Sequence, residues 1–200
     1  MVESNSTSSA NSSNRNVNIE AEINSMGMDL LERFDERTEV LDEPEKGYQV
    51  RKDQIDGCPV IAIKCRADGL TPEMVAPLIE NPASVVTKMN NRMTVNRLQD
   101  DCDGNLQYHF SIETPTIAVY NRSMFVRYFI QKNEQTGCVT ITSTSQGLED
   151  LEAEHASLHQ GNVVGNLIIS YMTLQPTETG YHIEQVSCFD PKGWIPSFIQ

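Results

Sequence analysis

Basic residues are scarce in this chain: 15 Lys and Arg stand against 28 Asp and Glu, giving a formal net charge of −13. A surface of that sign repels phosphate backbones and anionic bilayers on average, so nucleic acid is not expected as a partner and any membrane contact should be local and transient. Long apolar runs are also missing. None approaches the roughly 18 residues of a membrane span. The N-terminus has no apolar signal core, and Val2 stands where acylation would need a glycine. The five cysteines, Cys58, Cys65, Cys102, Cys138 and Cys188, are an odd set with no CxxC pair. That predicts free thiols in a reducing compartment, and so a soluble cytoplasmic protein. GxGxxG, GxxxxGK, GxSxG and HExxH are all absent. His155 and His159 lie four apart, but their acidic neighbours mark them as surface histidines, and no metal, cofactor or catalytic set is expected.

What is present divides into a tail and one domain. Residues 1–16 are almost wholly Ser, Asn and small residues, a composition that cannot offset the entropy of ordering, and they read as a disordered tail without a site. From Val17 onward Ile19, Ile23, Met26, Leu30 and Phe34 recur at spacings of three and four, which predicts an amphipathic helix. The period then drops to two: Ile61, Ile63 and Cys65 alternate with Ala62, Lys64 and Arg66, one set buried and the other wet. Thr71-Pro72 opens a short helix that Asn81-Pro82 closes, and a second short helix covers Ala83 to Asn90. Six strands follow, at about 93–100, 105–113, 124–132, 138–145, 162–174 and 181–189, with turns at Asp103-Gly104 and Pro176 to Gly180. The acidic stretch 147–160 reads as a solvated loop or short helix. Residues 17–200 thus predict an α+β domain in which a long antiparallel sheet curls around helices, with an apolar interior that is either packed core or ligand cavity.

Polar residues inside the apolar strands are the candidate site residues. Arg127 sits among Phe125, Val126, Tyr128 and Phe129, where alternation points it at solvent; His109 and Glu113, four apart, share one strand face, where they either face water or line a site.

The chain closes on DPKGWIPSFIQ, a DxxGxIP signature at Asp190, Gly193, Ile195 and Pro196 with Trp194 inside it. With Leu174, Pro176 and Arg122, and with the order of elements from Val17 on, this resembles the START (steroidogenic-acute-regulatory-related lipid-transfer) domain family. The resemblance implies a helix-grip fold, a curved antiparallel sheet around helices and a hydrophobic cavity. The family's C-terminal helix would be largely missing here. It implies a lipid ligand and no catalysis: one sterol, phospholipid or sphingolipid held in the cavity and carried between membranes. By the same resemblance His109, Glu113, Arg122, Tyr128 and Trp194 would lie near the lipid, and the loop carrying Ile117, Val119 and Tyr120 would be the lid. Ser123 replaces the acid that usually follows the family arginine, Tyr128 stands where a second arginine is common, and His109 stands where some sterol binders have an acid. Alternative readings are a lipid-sensing or protein-interaction module without transfer, its protein partner unspecified, and an enzyme on the same scaffold.

Overall fold

The computed structural model describes residues 6–98, 100, 104–114 and 119–193. Helix α1 (Ser6–Glu32) leads into three strands, β1 (Thr38–Glu43), β2 (Tyr48–Ile55) and β3 (Cys58–Asp68), then α2 (Pro72–Glu80) and α3 (Pro82–Met89). Strands β4 (Met93–Arg97), β5 (Leu106–Ile112), β6 (Arg122–Lys132) and β7 (Val139–Thr144) come next. A short α4 (Glu149–Glu154) with a 3-10 turn (Ala156–His159) precedes β8 (Val163–Val164), β9 (Asn166–Pro176) and β10 (Gly180–Asp190). The described strands form one sheet in the order β1-β2-β3-β10-β9-β7-β6-β5-β4, antiparallel throughout except where β8 pairs in parallel with β6.

The two prolines place the short helices as expected. Each fixes φ and needs no amide partner in the first helical turn; Asn81 closes α2 and its side chain accepts the Ser84 amide at 3.2 Å to open α3.

Each face of the sheet has its own core. On one, α1 buries Ile19, Ile23 and Leu30 against Val60, Ala62, Phe129, Ile169, Tyr171 and Val186. Ile23, Val60, Ile169 and Val186 have no exposed surface, so each contributes about 1.5–3 kcal/mol by burial. Just past α1, Phe34 opens a 3-10 turn (Phe34–Glu36), and its ring carries the Lys64 ammonium 4.6 Å from its centroid and the Arg51 guanidinium at 5.1 Å. On the opposite face Val75 of α2 and Ala83 of α3 pack with Tyr108, Phe110, Val126, Tyr128 and Leu174.

Helix α1 lies so close to β9 that a Cβ at Gly27 would fall 2.3 Å from Tyr171 Cγ and 2.5 Å from its Cβ. Those are atoms at the base of a buried ring, which cannot swing aside. Gly27→Val is therefore expected to lower stability by about 2 kcal/mol through overpacking, read as a drop in urea midpoint at unchanged slope.

Three expectations are corrected here. The helix begins at Ser6, so residues 6–16 are helical, and Asn16 is buried with its side-chain oxygen accepting from Arg127 Nη1 at 2.7 Å. The stretch read as a site-free tail thus supplies the partner of a strand arginine, and Arg127 is buried under α1 instead of facing water. In β3 the faces are reversed: Val60 and Ala62 are fully buried against α1, while Ile61 is 41% exposed on the other side. Alternation says which residues share a face, and only the position of α1 says which face is covered.

Candidate functional site

The face opposite α1 is covered unevenly. α2 and α3 close it over β4, β5 and β6, where Tyr108 is fully buried and its hydroxyl donates to Asn81 Oδ1 at 3.0 Å. Towards β9, β10 and β3 the cover thins: Leu174 and Tyr181 are still buried in that cluster, and beyond them the face opens. There Met172, Ile183, Phe189, Ile63 and Cys65 are only half-buried and Ile61 is exposed. The strip is apolar, and its residues are aligned by strand register. One transverse row runs Ile130, Ile141, Met172, Gln185, Ile63 from β6 to β3. The adjacent row runs Tyr128, Ser143, Ser170, Ser187, Ile61. Paired residues in antiparallel strands point to the same side, so four hydroxyls lie in line across an otherwise apolar face.

The predicted site residues divide between the two faces. Tyr128 belongs to the open face, 9% exposed, its ring edge-on to Tyr108 at 5.6 Å; burial, with Tyr108 adding to it, pushes its phenol well above the ordinary range. His109 lies on the other face, with Phe125 at 5.1 Å and His159 at 5.3 Å between ring centroids. Register explains it: His109 pairs with Phe125 in β6, and Phe125 alternates with Tyr128's set. The structure therefore does not bring His109 and Tyr128 together. Glu113 follows β5, exposed, its amide donating to the Arg92 carbonyl at 2.8 Å. Trp194 and Ile117 lie outside the described residues.

Arg122 is 4% exposed and its guanidinium is engaged by backbone: Nε donates to the Pro191 carbonyl at 3.1 Å, Nη2 to Lys192 at 3.1 Å, and Nη1 to Tyr120. Pro191 and Lys192 belong to the closing DPKG turn, where Lys192 (φ 48°) and Gly193 (φ 65°) both take left-handed backbone and the Lys192 amide donates to Asp190 Oδ1 at 3.0 Å. A bond from its Nζ holds the Asp190 carboxyl below the usual range. In the loop before β6, Thr114 Oγ1 donates to the Val119 carbonyl at 2.5 Å and its amide to Asn121 Oδ1 at 3.0 Å. Val119 is buried by this closure, and Tyr120 is 74% exposed.

Sequence reasoning missed two things. His159, read as a surface residue, is buried, with Nδ1 2.6 Å from the Ser123 hydroxyl. The apolar residues Leu148 and Leu158 were the available sign that the acidic segment 147–160 packs down. Among the described residues no three His, Cys, Asp or Glu side chains gather as a metal-binding group. The serine row was missed because each serine lies in a different strand. A separate cleft of about 670 Å³ lies between α4 and β9, with Glu149, Glu152, Asn166 and Lys192 among its walls. Phe125, Leu148, Leu167 and Ile168 line it as well, so its walls mix charged and apolar groups.

No family model matches the chain, and no curated protein matches it in sequence. Solved structures do match in fold. Human STARD10 superposes with a TM-score of 0.64 at 11% identity over 82% of this chain, which spans 64% of the length of that one. Human StAR-related lipid transfer protein 5 gives 0.64 at 14% identity, covering 88% of this chain and 87% of its own. A STAR-related lipid transfer protein from Xanthomonas axonopodis gives 0.59 at 17% identity, covering 82% and 86%. No helix among the described residues is long and apolar enough to cross a membrane. With its long antiparallel sheet backed by α1, this chain thus has the helix-grip fold of the StAR-related lipid transfer domains.

Proposed function

We propose that this protein binds a single lipid on the open face of its sheet and carries it between membranes without covalent chemistry. The observation that supports this most is the apolar strip of Ile61, Ile63, Met172, Ile183 and Phe189, which lies half-buried to exposed at the margin of the cluster that α2 and α3 close. Apolar side chains gathered on one side of a strip and left open to water call for a ligand that removes it. Each CH₂ buried there contributes about 0.8 kcal/mol, so an acyl chain or sterol ring system binds tightly and leaves slowly unless a membrane receives it.

Tyr120, 74% exposed on the loop that precedes β6, is the side chain we assign to transient membrane contact. Its neighbour Val119 is buried, so of these two side chains one is held in the protein and the other lies outside it. Cys58, Cys65, Cys138 and Cys188 are free thiols, in keeping with a cytoplasmic setting.

Native mass spectrometry of the purified protein is expected to show a lipid-mass adduct, and a donor-to-acceptor liposome assay is expected to show transfer that Tyr120→Ser slows several-fold. Binding without transfer would instead identify a lipid sensor. A protein that stays bare after incubation with mixed-lipid vesicles would refute the reading.

A further inference from the structure

We propose that the hydroxyl row Tyr128, Ser143, Ser170 and Ser187 is the recognition strip for an uncharged, hydroxyl-bearing lipid head, the head of a sterol, a diacylglycerol or a ceramide, and that it selects against phosphate-bearing lipids. The inference rests on the open face being the lipid site.

Four adjacent strands each contribute one hydroxyl at a single register position. With strands spaced about 4.8 Å apart the row is about 14 Å long, enough to follow a ligand's polar end across the face. Half of it is already linked: Ser187 Oγ donates to Ser170 Oγ at 3.3 Å and Gln185 Nε2 to Ser187 Oγ at 3.3 Å. The other half is not. Tyr128 is 9% exposed and Ser143 3% exposed, and among the described residues neither hydroxyl has a hydrogen-bond partner. Neither oxygen is among the fully buried atoms that lack a partner, so both keep some access to the open face, and each can both give and take a hydrogen bond. A ligand hydroxyl or carbonyl laid between Tyr128 and Ser143 completes both.

The charge around the row decides the class of ligand. Arg127 and Lys64 point to the α1 face, where they meet Asn16 and the Phe34 ring. Arg122, on the open-face side of β6, is engaged by the carbonyls of Tyr120, Pro191 and Lys192. Lys52 aligns with Ile61 two strands beyond Ser187, and it is exposed. Arg97, which pairs with Tyr108 on this same side, is bonded to Asp100 at 2.8 Å. A phosphate drawn onto the row itself would lie among hydroxyl and apolar groups, a desolvation that hydroxyl donors alone do not offset. An uncharged head carries no such penalty. Gln185, one row away, offers an amide to a second polar atom on the same ligand.

The test is equilibrium binding of the full chain to three fluorescent probes delivered from neutral vesicles: dehydroergosterol, a labelled ceramide and a labelled phosphatidylcholine. Wild-type protein is expected to prefer at least one uncharged probe over phosphatidylcholine by tenfold or more. Tyr128→Phe and, separately, the double variant Ser143→Ala with Ser170→Ala are each expected to weaken that probe about tenfold and leave phosphatidylcholine unchanged. Circular dichroism confirms the fold, and the two variants are independent, so loss of one to misfolding leaves the other as the test. Equal or tighter phosphatidylcholine binding, or variants that bind the uncharged probe like wild type, overturns the inference while leaving lipid binding intact. Absence of binding to all three probes overturns both.

Discussion

Arg122→Met is expected to cost about 4 kcal/mol of folding stability, the largest effect of any single substitution considered for this protein. The guanidinium is 4% exposed and donates to the carbonyls of Tyr120, Pro191 and Lys192, so it ties the start of β6 to the turn that ends β10. Leaving buried acceptors without donors costs about 1–3 kcal/mol each. Methionine fills much of the volume but supplies no donor. Lysine keeps the charge yet loses the planar fork, so Arg122→Lys should recover less than half of the loss. Chemical unfolding at neutral pH checks both. Near-wild-type stability for Arg122→Met would show that water replaces these bonds.

Acidification should weaken the fold through the buried histidines. His109 is 2% exposed, neither ring nitrogen has a hydrogen-bond partner among the described residues, and His159 packs edge-on at 5.3 Å. Burial, then the nearby His159 and His155, lowers the His109 pKa from the ordinary 6.5 to about 4. His159 is lowered in the same direction by burial, against a smaller opposing effect of Glu152. A folded-state pKa below the unfolded value means that the unfolded chain binds protons first as pH falls. The contribution of His109 is therefore fully present above pH 6.5 and is lost progressively down to about pH 4. On the order of 3 kcal/mol is at stake for that one group. Urea unfolding at pH 7.5, 5.5 and 4.5 should show the decline. In His109→Phe, which suits the aromatic contacts with Phe125 and His159, the decline should be shallower by a comparable amount and stability at neutral pH should be preserved or raised. An identical pH slope in that variant would rule out His109 as its origin.

Much of the element list was readable in advance because it depends on local chemistry. Ile19, Ile23 and Leu30 mark the buried stripe of α1, Pro72 opens α2 and Asn81-Pro82 ends it, and the six predicted strands appear within a few residues of their limits, with 162–174 divided into β8 and β9. The closing signature was readable for a related reason. A turn with left-handed residues at Lys192 and Gly193 needs a glycine and a side-chain acceptor such as Asp190, and both are written in the chain. What that turn binds was less accessible, since Arg122 lies 69 residues from Pro191 in sequence.

Face and cover were decided elsewhere. A period of two groups Ile61 with Ile63 and Val60 with Ala62, and it cannot say which pair is buried; α1, packing on β7, β9 and β10, settles that for Val60 and Ala62. The same helix turns Arg127 from an apparent surface charge into a buried partner of Asn16, and the 3-10 turn at Ala156–His159 turns His159 inward onto Ser123. The hydroxyl row exists only once β6, β7, β9 and β10 are in register. By itself, then, the sequence determined the elements, their order and the closing turn, because helix period, proline geometry and left-handed glycine are properties of a few neighbouring residues. Only the tertiary structure decided which face is covered, which charges are buried and which hydroxyls meet, because each of those depends on where a distant segment comes to rest.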